Sequence, residues 1–274
     1  MMRTHVDPLV FFPSQPAKSL ERLGFRLGAV GTHASRTIML SELDAMLAAA
    51  PCSALRAEYA AAIIEDNCLQ KRTASTRRIS NQRLGELYAL DPLVALFRVV
   101  RKLWDIDPAA RPQLAMLAAL ARDPLLRTSA APVLTQPEGT EIQRAPIRDA
   151  LRCCVGDRMN DDTVDKVVRN VLSSWSQSGH LTGRTFKRRT LVKASTTALS
   201  FALWLGRVAG LRGRDLLQCG WVAALDCTAS SARGLAMDAK RCGFIDFRTV
   251  NDVVEIGVDR LDPGIGRPQP HGAT

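Results

Sequence analysis

A mainly α-helical fold is predicted here: helical bundle lobes with helix-turn-helix or winged-helix-like elements and a C-terminal β-hairpin. Three observations predict it. Val164, Val167, Val168, Val171, Leu172 and Trp175 repeat at the spacing of one helical face over several turns. Aromatics are only 5% while apolar residues are 46%, so the core must be built from Leu, Val and Ala, which suit helices. Period-two alternation is confined to the stretch after Gly243.

Residues 1–34 carry Pro8, Pro13 and Pro16 with little periodicity, and read as a loosely ordered arm or a loosely docked lead-in, with a turn at Gly28–Gly31. A first helix is expected from Ser35, through Ile38, Met39, Leu43, Met46 and Leu47, ending at Pro51. A second should run from Ser53 to Leu69. Ser75 or Thr76 can cap a third, with Ile79, Arg83, Leu84, Leu87 and Tyr88 as its stripe. Asp91-Pro92 should open a fourth, through Leu96, Phe97, Val100, Leu103 and Trp104. Pro108 to Pro112 interrupts the chain. Leu114–Arg122 reads as a short Ala/Leu helix, and Asp123-Pro124 restarts a turn.

Ala130 to Pro146 contains Pro132, Pro137, Gly139 and Pro146. It is either a domain boundary or a long surface loop. The expected organisation is therefore an arm (1–34), an N-terminal helical domain (35–131), a linker or loop (132–146), a C-terminal helical domain (147–261) and a flexible tail (262–274). Within the second half, Ile147–Cys154 should be a short helix. The Val/Trp helix should begin at Asn160 or Asp161, with Asp161 and Asp162 suiting its positive end. Ser195–Val208 is apolar on more than one face and should be central. Asp215–Leu225 and a helix capped by Ser230 or Ser231 follow. Ile245 and Phe247 alternate with Asp246 and Arg248, and Val253–Val258 returns as the second strand across Asn251-Asp252. A helix followed by a hairpin is how a winged-helix module ends, and also how many small domains close their core.

Lys plus Arg is 37 against 27 acids, a formal net charge of +10. Such a balance favours a polyanionic partner without dictating a fold. Two clusters concentrate the charge. Lys71, Arg72, Arg77, Arg78 and Arg83 lie with Ser75, Thr76 and Asn81 in a stretch free of acids. Arg184, Lys187, Arg188, Arg189 and Lys193 follow His180 directly after the Val/Trp helix. Cations on a rigid helix contact phosphates; Arg and Asn can read base edges, and Ser and Thr hydroxyls bind the backbone. These fourteen residues form the candidate DNA-binding set. Gly179 and Gly183 would allow close approach to a phosphate. The alternatives are solvated basic faces, or docking against an acidic protein.

Other chemistry is thinly represented. Seven cysteines form no CxxC pair and no zinc-like spacing, which suits reduced thiols in a cytoplasmic protein without a signal peptide. His33 and His180, with Ser35 and Ser178, show no spacing that suggests a catalytic triad and read as structural histidines. Asp157, Asp161 and Asp162 are better explained by helix capping than by magnesium. Trp104, Trp175, Trp204 and Trp221 lie in apolar stripes and should be core. No phosphate-binding loop or dinucleotide fingerprint occurs, and no apolar run reaches the roughly 20 residues of a membrane span. No cofactor, metal or small-molecule substrate is expected.

The segment Glu65-Asp66-Asn67-Cys68-Leu69-Gln70-Lys71-Arg72-Thr73, continuing through Ser75-Thr76-Arg77-Arg78 to Arg83-Leu84, resembles the BrxA family, small accessory proteins of BREX bacteriophage-exclusion systems. The matching positions are Asn67, Leu69, Gln70, Lys71, Arg72, Thr76, Arg83 and Leu84. The resemblance implies a helical, non-enzymatic protein of winged-helix character that binds double-stranded DNA. Its genetic neighbours would be a methyltransferase, a phosphatase-like protein and an ATPase. The chain departs from the family in its greater length and in its first 34 residues, which have no counterpart. The expected function is duplex DNA binding in anti-phage defence. An adaptor for an acidic protein of the same system, a metal-dependent nuclease and an RNA-binding protein are the alternatives.

Overall fold

Two helices buried on every side organise the chain: α5 (Arg111–Arg122) and α10 (Thr196–Val208), which pack against each other. The computed structural model describes residues 9–13, 16–250 and 253–263. Around the central pair stand α1 (Leu40–Ala49), α2 (Arg56–Ile64), α3 (Ala74–Tyr88), α4 (Ala95–Trp104), α6 (Pro124–Thr128), α7 (Ala130–Leu134), α8 (Arg144–Val155), α9 (Asp161–Gln177), α11 (Gly220–Ala223) and α12 (Ala229–Arg241). Two antiparallel hairpins complete the fold: β1 (Leu181–Thr182) with β2 (Arg188–Arg189), and β3 (Asp246–Val250) with β4 (Val253–Gly257).

The α-helical class and the C-terminal hairpin agree with the periodicities. Alternation holds in β3–β4, where Phe247, Val254 and Ile256 face inward and Arg248 pairs across from Glu255. Its turn residues Asn251 and Asp252 lie outside the described residues. The four tryptophans are all core. Asn160 caps α9 by accepting from Thr163 N at 2.9 Å, and Ser195 caps α10. Two other caps fall earlier than expected. Thr73 caps α3 and Thr228 caps α12, each through an extended backbone that aims its hydroxyl at the amide three residues on.

The sequence places α5 as one short helix among several, but it is central. It touches α3, α4, α9 and α10, so one apolar cluster runs from Phe11 to Leu261 across both halves. Residues 132–146 accordingly behave as wall rather than linker. Ile142 is buried, and 139–142 runs along β2 through Gly139 N to Arg189 O, Arg189 N to Thr140 O and Ile142 N to Lys187 O (2.8–2.9 Å).

The described part of the N-terminal arm is docked. Phe11 meets Trp221 edge to face, and Trp221 Nε1 donates to Phe11 O at 2.7 Å. Leu20 and Phe25 are buried. Two half-buried arginines, Arg122 at the end of α5 and Arg127 in α6, hold the arm by its carbonyls: Arg122 to Gly24 and Arg127 to Arg26. Burial lowers both guanidinium pKa values to about 10. Proline content predicts a lack of helix in this arm but says nothing of docking, which comes from Phe11, Leu20 and Phe25 buried in the common core.

A buried polar staple fixes the end of this segment. Asp123 Oδ1 accepts from Leu125 N and Leu126 N and so caps α6, while Oδ2 accepts His33 N at 2.9 Å and meets His33 Nδ1 at 2.8 Å. His33 Nε2 lies 2.8 Å from Ser174 Oγ on α9, which also accepts from Ile38 N. Burial opposes ionisation of Asp123, but the electrostatic pull of His33 and hydrogen bonds from its ring, its backbone and Leu126 N outweigh it and hold its pKa below the usual value. Gly31 is required here, because a Cβ would lie 2.0 Å from Asp123 Oδ1.

Removing the carboxylate strands a buried histidine and two cap amides. Asp123→Ala is expected to cost about 3–5 kcal/mol of stability, measured by urea unfolding. A loss below about 1 kcal/mol would contradict the staple.

Candidate nucleic-acid interface

The two basic clusters fold very differently. In the first, α2 ends at Ile64 and α3 starts at Ala74. The connection is nine residues (65–73) with left-handed Asn67 and Gln70. That is longer than the three- or four-residue turn of a helix-turn-helix, so the expected tight connection is absent. Several candidate side chains are spent inside the protein. Arg77 Nη1 donates to Ile64 O at 2.6 Å and closes the C-terminal end of α2. Asn81 Oδ1 accepts from Arg56. Lys71 pairs with Glu42 at 3.0 Å and Arg83 with Glu86 at 2.8 Å. Burial raises the pKa of Glu42 and of Glu86, but hydrogen bonds from these cations and from neighbouring groups leave both lowered. Thr76 Oγ1 bonds Thr73 Oγ1. Arg72, Ser75 and Arg78 remain exposed.

The second cluster is not a loose basic segment but the β1–β2 hairpin. Leu181 pairs with Arg189 and Thr182 with Arg188. Gly183, at φ 89°, turns the chain so tightly that a Cβ would sit 2.2 Å from Phe186 O. Its role is to close the loop rather than to admit a phosphate.

Two members of the candidate set must be withdrawn as contacts. His180 is fully buried, with Nδ1 2.8 Å from Ser178 Oγ and Nε2 2.9 Å from Ala224 O. Arg189 is 1% exposed and ion-paired with Asp226, and its Nη1 donates to Thr190 O at 2.6 Å. Asp226 also accepts from Val192 N at 2.8 Å. Arg189 is thus the anchor of the hairpin. Arg184, Arg188 and Lys193 are exposed and Lys187 half-buried, with Arg188 donating to Gly139 O.

A cleft of about 560 Å³ is lined by the β1–β2 loop (184–187), residues 141–145 leading into α8, and α9. Arg144, Arg169, Arg184 and Lys187 line it. Among the described residues, none of these four has a carboxylate within ion-pair distance. Glu141 is the one acid in the lining. Phe186 stands at the loop tip, 66% exposed.

Arg144, Arg169 and Phe186 are not among the contacts predicted from the sequence. One signal was present: Arg144 opens α8 at its positive end, where a cation is unfavourable, with no acid in the first turn and no side-chain cap. That arrangement suits an external anion.

Elsewhere, Asp161 sits in the first turn of α9 and pairs with Arg152. Among the described residues no three His, Cys, Asp or Glu side chains converge to hold a metal, and no helix is long and apolar enough to cross a membrane. His33, Asp123 and Ser174 have triad-like connectivity, but all three are fully buried. Comparison with protein-family models and with curated proteins gave no match.

Two expectations follow. Arg189→Ala should lower unfolding stability by about 3 kcal/mol or more by stranding Asp226, whereas Arg184→Ala should change it by less than about 0.5 kcal/mol; equal effects would contradict the assignment. Burial lowers the pKa of His180 from 6.5 to about 4. The unfolded chain therefore binds the extra proton first as pH falls, and stability contributed by the neutral ring is lost from pH 6.5 down to about 4. The loss should approach about 3 kcal/mol and be absent in His180→Gln, measured by urea unfolding across that window. A parallel pH profile in the variant would contradict it.

Proposed function

We propose that this protein binds DNA through the hairpin cleft, without catalysing a reaction on it. The observation that carries the reading is the set of four cations, Arg144, Arg169, Arg184 and Lys187, drawn from three separate chain segments to one cleft and left without carboxylate partners. Holding like charges together costs energy in the free protein, and a row of phosphates relieves it.

The geometry of α9 links this cleft to the other basic unit. Ser173 lines the cleft, and Gln177, one turn further on the same face, accepts from Leu40 N at the start of α1. Glu42 on that helix holds Lys71, beside exposed Arg72. The start of α1, which carries Glu42 against Lys71, is thus tethered to the C-terminal end of α9. A role in a BREX-type defence system, in the cytoplasm and beside other proteins of that system, rests on the resemblance of residues 65–84 to the BrxA family.

The test is fluorescence anisotropy with a labelled duplex. Four phosphate contacts predict a loss of about a hundredfold in affinity between about 50 and about 200 mM salt. Replacing each of Arg144, Arg169, Arg184 and Lys187 by Ala should shallow the salt slope by about one unit. A quadruple variant that binds like the parent would overturn the site. Binding of an acidic protein with no binding of duplex would favour the adaptor reading instead.

A further inference from the structure

We infer that the cleft lined by the β1–β2 loop takes an unpaired nucleotide, so that the protein prefers DNA carrying a single-stranded tail or gap over a fully paired duplex. The inference rests on the DNA-binding reading and specifies its substrate.

The site joins two features that duplex binding alone does not use. The first is Phe186. A phenyl ring 66% exposed at a hairpin tip is unfavourable in water, and this one sits between Arg184 and Lys187 in sequence. The backbone on either side of it is held in place. Gly183 folds back onto Phe186 O, and Lys187 O is bonded by Ile142 N at 2.8 Å. An exposed aromatic ring next to cations is the arrangement that stacks a base while its phosphates are neutralised, and stacking is open to every base.

The second feature is the size and lining of the cleft. At about 560 Å³ it falls in the range of sites for single small molecules and is too small for a paired helix. Its chemistry divides in the way a nucleotide does. Arg144, Arg169, Arg184 and Lys187 supply phosphate ligands, while Leu172 and Ser173 offer an apolar and a hydroxyl surface. Glu141 repels phosphate but accepts from an amino group on a base edge. In a fully paired duplex the base faces are stacked on one another and none is available to Phe186, so paired DNA meets only the cations.

The experiment compares the full-length protein and its Phe186→Ala and Phe186→Trp variants on two probes, a blunt labelled duplex and the same duplex with a short unpaired tail containing 2-aminopurine. Circular dichroism checks that the variants fold, as expected for an exposed position. The parent should bind the tailed probe about tenfold tighter than the blunt one. Phe186→Ala should lose that preference while its affinity for the blunt duplex stays unchanged, and Phe186→Trp should keep it. Emission of 2-aminopurine should change on binding the parent and not on binding Phe186→Ala. Equal affinity of the parent for both probes, or a preference that survives in Phe186→Ala, overturns the inference while leaving duplex binding intact. Binding of neither probe overturns the DNA reading and this inference together.

Discussion

The Arg189–Asp226 ion pair is the constraint on which the basic surface depends. A hairpin with two residues in each strand has too few ladder bonds to hold its own position. Burying one guanidinium against a carboxylate that also receives Val192 N ties both the hairpin and the chain leaving it to the body of the protein. His180, buried at the hairpin entrance and bonded to Ala224 O, fixes the other end. One arginine of the cluster is given up so that its neighbours project from a rigid base.

Charge is handled the same way elsewhere. Arg77 closes α2, while Arg122 and Arg127 gather carbonyls from the N-terminal segment. A large share of the basic excess is thus structural mortar. This matters for function, because net charge overstates the cationic surface offered to a ligand. Among the described residues, four cations with no carboxylate within ion-pair distance meet at one cleft. The buried staple of His33, Asp123 and Ser174 has a comparable role, locking the lead-in to α1 against α6 and α9.

Helix faces, the core tryptophans and the terminal hairpin were legible in the sequence because they depend on local periodicity. Caps were nearly legible, and missed by a few residues wherever several hydroxyls competed, as at Thr73 against Ser75 and Thr76. What could not be read is which cations face solvent. Arg189 is removed by an aspartate 37 positions on and Lys71 engaged by a glutamate 29 positions back. Neither partner has a spacing signal. The β1–β2 hairpin was missed because its strands are too short to show alternation, and its third neighbour, 139–142, lies in a proline-rich stretch that looks like a linker. Arg144 and Arg169 belong to other helices, so no linear cluster includes them, yet they complete the cleft.

Arginine-selective modification read by mass spectrometry, with and without DNA, tests the central claim most directly. The account predicts that Arg144, Arg169 and Arg184 react in the free protein and are protected in the complex, while Arg189 is unreactive in both. Protection confined to Arg248 and Arg260 of the C-terminal hairpin region, with Arg144, Arg169 and Arg184 still reactive in the complex, would contradict it.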